Sequence, residues 1–472
     1  MNGPIRHVAI VCMAMFLALM INVTVANVTR QEPLNANQQN RRVMDARFAQ
    51  DRGAILVGNT PIAQSAAVKD QYKYQRSYPK AELYAPITGY YSYLYGSTGL
   101  ESSMSEQLSG QDNSQFLNRM IDAAAGRTPK GASVETTIDA KAQQAAWDGL
   151  GTKTGAVVAI DTKTGAIKAM VSTPGFDPNK LATHDLAASQ KTWKSLNADA
   201  SKPMLNRATR NIYSPGSTFK LVVAAAALES GLTPDSKVDA TNYKLPGSTR
   251  VIAENCGGSK ITLEHSLKVS CNPSFARLGA SLGQDALRAQ AEKFGFGQKF
   301  LPELGAVASR FPDNLDSAQT AMSSLGEYEV AATPLQMAMI AAAIANDGVV
   351  MEPYVVSRVR SPDLEVLSQA EPKQASVAVS QATAAELRQM MEVVVASGTG
   401  TQAKISGLEI GGKTGTAVTD RVRLPYTWFV GYAKELDVAV CVFVEDAQTT
   451  TNEATGGRIA APIARAVWEA LR

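Results

Sequence analysis

Two serines, two lysines and an asparagine in this chain stand at spacings that can carry acyl-transfer chemistry. They fall in three short motifs, in the order Ser217-Thr-Phe-Lys220, Ser270-Cys-Asn272 and Lys413-Thr-Gly-Thr416. On a helix, a lysine three residues after a serine returns to the same face one turn later. Burial and a neighbouring cation both disfavour the charged lysine, and a neutral amine can then take the hydroxyl proton. Ser217 is therefore the candidate nucleophile, Lys220 its base and Lys413 the neighbouring cation. Ser270 can relay a proton between the base and a leaving amine, and Asn272 can hydrogen-bond a substrate amide. Lys413 with the Thr414 and Thr416 hydroxyls suits a terminal carboxylate. Gly415 lies in an extended, glycine-rich stretch, where glycine marks the close approach of another backbone. The N–H groups of Ser217 and Thr416 are the candidate oxyanion hole.

Each motif alone is weak. Ser77-Tyr-Pro-Lys80 is a second Ser-x-x-Lys, but Pro79 opposes the helical turn that would stack the pair. Ser195-Leu-Asn197 precedes Ser217, and Lys153-Thr-Gly155 and Lys163-Thr-Gly165 precede everything else. Only the set at 217, 270 and 413 has all three parts in order.

These side chains need elements to hold them. Pro215-Gly216 breaks the chain before Ser217, an apolar run Leu221–Leu228 comes next, and Gly231 stops it. That predicts a helix over 217–230 with no polar face, buried in the centre of its domain. Further helices are expected at 263–270, 285–294, 334–346, 382–397 and 459–471. Residues 155–161 and 166–171, separated by Thr162-Lys-Thr-Gly165, read as a hairpin. Residues 407–418, 428–433 and 438–445 read as three more strands. Strands at both ends with helices between predict an α+β domain, one antiparallel sheet with helices on its faces. Between Tyr72 and Tyr95 lie eight of the fourteen tyrosines, and strands with edge packing are the expected cause.

At 472 residues the chain has room for two or three domains. A net charge of +3 with no basic cluster gives no reason to expect a nucleic-acid partner. The three histidines (His7, His184, His265) and four cysteines are too scattered for a metal site. The acyl-transfer chemistry itself calls for no cofactor.

From Val8 to Val28 there is no charged residue, about the length that crosses a bilayer as a helix. Arg6 lies just before it, so the N-terminus is expected in the cytoplasm and the bulk of the chain outside. The run exceeds a usual signal core and offers no convincing cleavage site, so a retained single-pass anchor is expected over a cleaved signal peptide. Outside the cytoplasm a disulfide can persist. Cys256 and Cys271 are the candidate pair. A bridge and two free thiols both stay open, because sequence does not give Cβ geometry.

The motifs together resemble the class B penicillin-binding proteins, in their compact actinobacterial form. The likeness extends to Asn206-Arg-Ala208 with Tyr213-Ser-Pro-Gly216, Thr333-Pro-Leu-Gln336, Gly398-Thr-Gly-Thr401, Arg52-Gly-Ala-Ile55 and Gly99-Leu-Glu101. It implies a serine β-lactamase-like transpeptidase domain over 136–472, a smaller β-rich pedestal over 30–135, and a tail with a transmembrane helix over 1–29. It also implies the reaction. Ser217 would attack a donor stem peptide at D-Ala-D-Ala, release the last D-Ala, and pass the acyl group to an amine on a neighbouring stem. β-Lactams would acylate Ser217 instead. With no room for a glycosyltransferase, the chain would need a separate glycan polymerase in the membrane, of the SEDS type, in elongation or division. Two features depart from the family pattern: Cys271 inside Ser-x-Asn, and Ser324-Leu-Gly-Glu-Tyr-Glu329, which is less glycine-rich than expected. The rival readings are a D,D-carboxypeptidase with the same residues, a class D-like β-lactamase, a β-lactam sensor, and a non-catalytic scaffold.

Overall fold

The computed structural model describes residues 2–29, 45–46, 48–112, 120, 130–417, 425–449 and 454–472. Helix α1, Asn2–Thr29, stands clear of the rest, and none of its apolar stretch Gly3–Ala26 is buried against protein. At ~1.5 Å per residue it is about 42 Å long, enough to cross a bilayer.

The central sheet has five strands: β1 (Thr154–Asp161), β2 (Ile167–Thr173), β3 (Ile410–Ala417), β4 (Tyr426–Ala433) and β5 (Val438–Asp446). Their order is β3-β4-β5-β1-β2, antiparallel throughout. The expected hairpin is β1–β2, and the expected late strands are β3 to β5, with Val418 outside the described residues. These strands read as apolar runs because both faces are covered. Along β5, Val438, Val440, Val442 and Val444 enter one hydrophobic cluster, while Ala439, Cys441 and Phe443 enter another. Alternate residues point to opposite sides, so two helical layers require two apolar sets. One layer is α2 (Ala140–Leu150) with the C-terminal helix Ala461–Leu471. The other contains α3 (Lys220–Glu229), α4 (Leu263–Val269), α5 (Asn272–Leu282), α6 (Pro334–Ala345) and α7 (Gln381–Ser397).

Helix α3 is buried from Lys220 to Leu228, as its all-round apolar character demands. Helix α6 starts at Pro334, with the Thr333 hydroxyl accepting the Gln336 N–H. Helices α5 and α2 are among several that the sequence reading does not predict. Asn272-Pro273 looked like a turn, yet it opens α5 with proline in the first turn. Helix α2 is rich in alanine and glutamine and is capped by the Asp139 carboxylate on Lys141 N–H and Ala142 N–H.

The N-terminal part is built on a mixed six-stranded sheet. Its strands run, edge to edge, Val366–Gln369, Val356–Arg360, Ser133–Thr136, Ile55–Val57, Thr60–Ala67 and Tyr74–Ser77. Two of them come from late in the chain, and Glu135 forms ion pairs with Arg358 and Arg360 across the join. Under the sheet, buried Glu101 receives Arg52 and Arg76, each at 2.6 Å. The tyrosine-rich stretch is not all strand. Ala81–Thr88 is a helix that buries Leu83, Tyr84 and Ile87, while Tyr72 and Tyr93 pack in a cluster around Phe48.

Candidate active site

Ser217 sits in a single 3₁₀ turn, Gly216–Phe219, which runs directly into α3 at Lys220. The turn is tight because three groups fix it. Thr218 Oγ1 donates to Pro215 O at 2.7 Å, Ser214 Oγ donates to Gly326 O at 2.6 Å, and Gly216 N–H donates to the same carbonyl at 3.0 Å. Gly216 has φ +52°, and a Cβ there would lie 2.9 Å from Thr416 O. Gly326 has φ +71°, and its Cβ would lie 2.1 Å from Gly216 O. The segment 324–329 therefore needs only one glycine, at the point where it touches the nucleophile turn. Ser217 is partly exposed, while Lys220 is fully buried.

The three motifs meet on Ser270. This residue ends α4 in the left-handed region (φ 64°), and Asn272 begins α5. The Ser-Cys-Asn motif is therefore the junction between two helices. Ser270 Oγ lies 3.2 Å from Lys220 Nζ and 2.9 Å from Lys413 Nζ. Lys220 Nζ also donates to Ser270 O (2.6 Å) and Asn272 Oδ1 (2.7 Å), and Lys413 Nζ donates to Thr414 O at 2.9 Å. Burial pushes Lys220 down to about 7, against the pull of Glu254 and Glu327. Lys413 is held well below its ordinary value by burial and by the charge of Lys220. Two amines converge on one hydroxyl out of water, so charging both is costly.

Strand β3 is the edge of the sheet, with β4 on one side and a cavity of about 530 Å³ on the other. Ser217, Ser270, Asn272, Thr414 and Thr416 line that cavity. Gly415 lets the strand come close to the nucleophile turn: a Cβ there would lie 2.9 Å from Pro215 O. Thr414 Oγ1 shares a hydrogen bond with Thr399 Oγ1 at 2.7 Å, and Thr416 is exposed to the cavity.

Cys256 and Cys271 are joined by a disulfide. The bridge ties the loop carrying Glu254 to the Ser-Cys-Asn junction, and Glu254 Oε2 accepts the Asn272 N–H at 2.7 Å. Sequence reasoning missed Glu254 and Arg458, which line the cavity, and gave no role to Thr399 and Glu327, although both lie in segments set against the family pattern. The one signal for Glu254 was its position two residues before a cysteine. The decoys lie apart. Ser195 and Asn197 are on the helix Leu186–Ala198, and Lys163-Thr-Gly165 is the β1–β2 turn. Ser77 ends a strand of the N-terminal sheet, while Lys80 precedes a helix with φ +52°.

A cleft with a turn-borne serine, buried lysines and an open edge strand belongs to the serine acyltransferases that dispense with histidine. Residues 155–469 match the penicillin binding protein transpeptidase domain, and residues 52–134 match the penicillin binding protein A dimerisation domain. The whole chain is 42% identical to the peptidoglycan D,D-transpeptidase PbpA of Mycolicibacterium smegmatis, of which 99% is covered. It is 39% identical to the protein of the same name from Mycobacterium tuberculosis, again over 100% of this chain and 99% of the other. Among solved structures, the ceftriaxone acyl-enzyme of M. tuberculosis penicillin-binding protein A superposes with a TM-score of 0.88 at 38% identity. That match covers 90% of this chain and 99% of the other. The penicillin G acyl-enzyme of the same protein gives 0.85 at 39% identity, covering 89% and 99%. The chain belongs to the penicillin-binding protein transpeptidases, class B.

Proposed function

We infer that this protein is a peptidoglycan D,D-transpeptidase that cross-links stem peptides through an acyl-enzyme on Ser217 and is acylated there by β-lactams. The observation that carries the reading is the convergence of Lys220 and Lys413 on Ser270 beside the Ser217 cavity.

The chemistry runs from those residues. Lys220, neutral in a large fraction of molecules near pH 7, takes the Ser217 hydroxyl proton as Oγ attacks the penultimate D-Ala carbonyl. The N–H groups of Ser217 and Thr416 receive the developing oxyanion. As the C–N bond breaks, Ser270 passes a proton to the leaving D-Ala. Asn272 holds a substrate amide. Lys413, Thr414 and Thr416 hold the terminal carboxylate, and Gly415 keeps strand and nucleophile close. An amine on a second stem peptide then attacks the ester and frees Ser217.

Residues 1–29 form the tail and anchor, with the N-terminus in the cytoplasm. Residues 30–135 form the pedestal, its sheet completed by the strands Val356–Arg360 and Val366–Gln369, and the rest of 136–472 forms the catalytic part, working outside the cytoplasm in elongation or division. A separate SEDS-type glycan polymerase in the same membrane supplies the strands. The exposed apolar helix α1 supports the anchor in this reading.

The test is mass spectrometry of the full-length, detergent-solubilised protein after exposure to benzylpenicillin, beside Ser217→Ala. One stable adduct on the Ser217 peptide, lost in the variant, is expected. No adduct would indicate a scaffold, and an adduct lost within seconds would indicate a β-lactamase.

A further inference from the structure

The acid that sequence reasoning missed occupies a telling position. Glu254 is the only carboxylate on the wall of the Ser217 cavity among the described residues. Arg458 is the basic residue on the same wall, Lys220 and Lys413 lie below it, and Glu327, the other carboxylate that acts on Lys220, does not line the cavity. Glu254 is exposed, yet it is not loose. Its Oε2 is held by the Asn272 N–H, and its loop is held by the Cys256–Cys271 bridge, so the carboxylate is fixed from both ends of one short ring. Its other oxygen has no partner among the described residues. A solvated surface acid needs neither anchor.

The proposed reaction has one substrate group that this arrangement suits. The acceptor is a primary amine and arrives from water as an ammonium ion. Arg458 on the cavity wall would repel it. We propose that Glu254 is the docking group for the acceptor ammonium, its fixed carboxylate holding the cationic end of the neighbouring stem peptide beside the acyl-serine. This rests on the transpeptidase reading and names the residue that selects an amine over water. The step balances. The ammonium nitrogen gives up two protons, one to solvent and one by way of Lys220 to Ser217 Oγ. The N–C bond forms as the C–Oγ bond breaks, leaving an amide and the free hydroxyl.

The experiment measures how the acyl-enzyme divides between aminolysis and hydrolysis. Full-length enzyme in detergent is given a thioester donor ending in D-alanine. Two nucleophiles are compared at pH 7.5, chosen by the usual amine pKa ranges: D-alaninamide, substantially an ammonium ion, and hydroxylamine, which is neutral. In Glu254→Gln, aminolysis relative to hydrolysis should fall about ten-fold or more with D-alaninamide and less than about three-fold with hydroxylamine, the size expected for losing one partly solvated ion pair. Glu254→Asp should recover part of the loss. An equal fall with both nucleophiles would overturn the inference, because Glu254 would then act only through Asn272 and Lys220. No fall with either would overturn it as well. If the wild type hydrolyses the donor but never transfers it to any amine, the transpeptidase reading itself fails and takes this inference with it.

Discussion

Lys220 decides whether the cleft works, because its neutral form is the base. With burial holding it at about 7, the acylation rate by penicillin should climb as pH rises through that value and level off above it. Lys220→Arg keeps the charge and cannot deprotonate, so acylation should drop about a thousand-fold, the usual scale of a general base. Rapid-quench acylation across pH 5.5–9 checks both. The same shift has a stability sign. The folded pKa lies below the ordinary 10.5, so between about 7 and 10.5 the unfolded chain binds a proton the folded chain does not. Stability is therefore penalised in full below about 7 and recovers as pH rises, at up to about 1.4 kcal/mol per pH unit. Urea melts of wild type and Lys220→Met at pH 7 and 9 should show the variant lacking this recovery; parallel curves would refute it. At this scale the sequence was informative where partners are close in the chain. Ser217 and Lys220 share one turn, and their spacing alone suggests a pair. Glu254 reaches Asn272 through a loop and a disulfide, and no local spacing signals it.

At the scale of elements, three pieces are clamped by backbone contacts that only glycine permits. Gly326→Ala puts a methyl where Gly216 O already sits and forces a positive φ on a residue with a side chain. It should destabilise by about 2–4 kcal/mol and slow acylation further than the lower melting temperature explains, because the Ser217 turn must move. Calorimetry with acylation kinetics at 20 °C tests this; normal acylation by the folded fraction would show that the clamp is not needed. Long periodic elements were legible. The buried helix α3, helices α6 and α7 and the five strands announce themselves by apolar runs and by breakers at their ends. Helix α5 was not, because its first two residues, Asn272 and Pro273, carry the same signal as a turn. Whether such a pair opens a helix or closes a loop is decided by the neighbours that pack against the next turn of chain.

For the whole molecule, the join between the N-terminal and catalytic parts is a sheet, not a linker. Val356–Arg360 pairs with Ser133–Thr136, which in turn pairs with Ile55–Val57. A chain beginning at 136 would leave the strand Val356–Arg360 paired only with Val366–Gln369 and expose its other edge, a known route to aggregation. Residues 136–472 made alone should be mostly insoluble, or melt well below the full chain; a soluble fragment with unchanged melting temperature would contradict this. The linear sequence hid the shared sheet, because a strand's neighbour is set by the path of the chain through space.

Exchange between relatives inherits a constraint from this sheet. The pedestal is written in two places in the gene, before residue 137 and again across 356–369, with the coding for the nucleophile between them. A single crossover that traded pedestals would bring in four strands and leave two strangers in the same sheet. Recombinants that survive should either keep both stretches from one parent or exchange only material lying inside them.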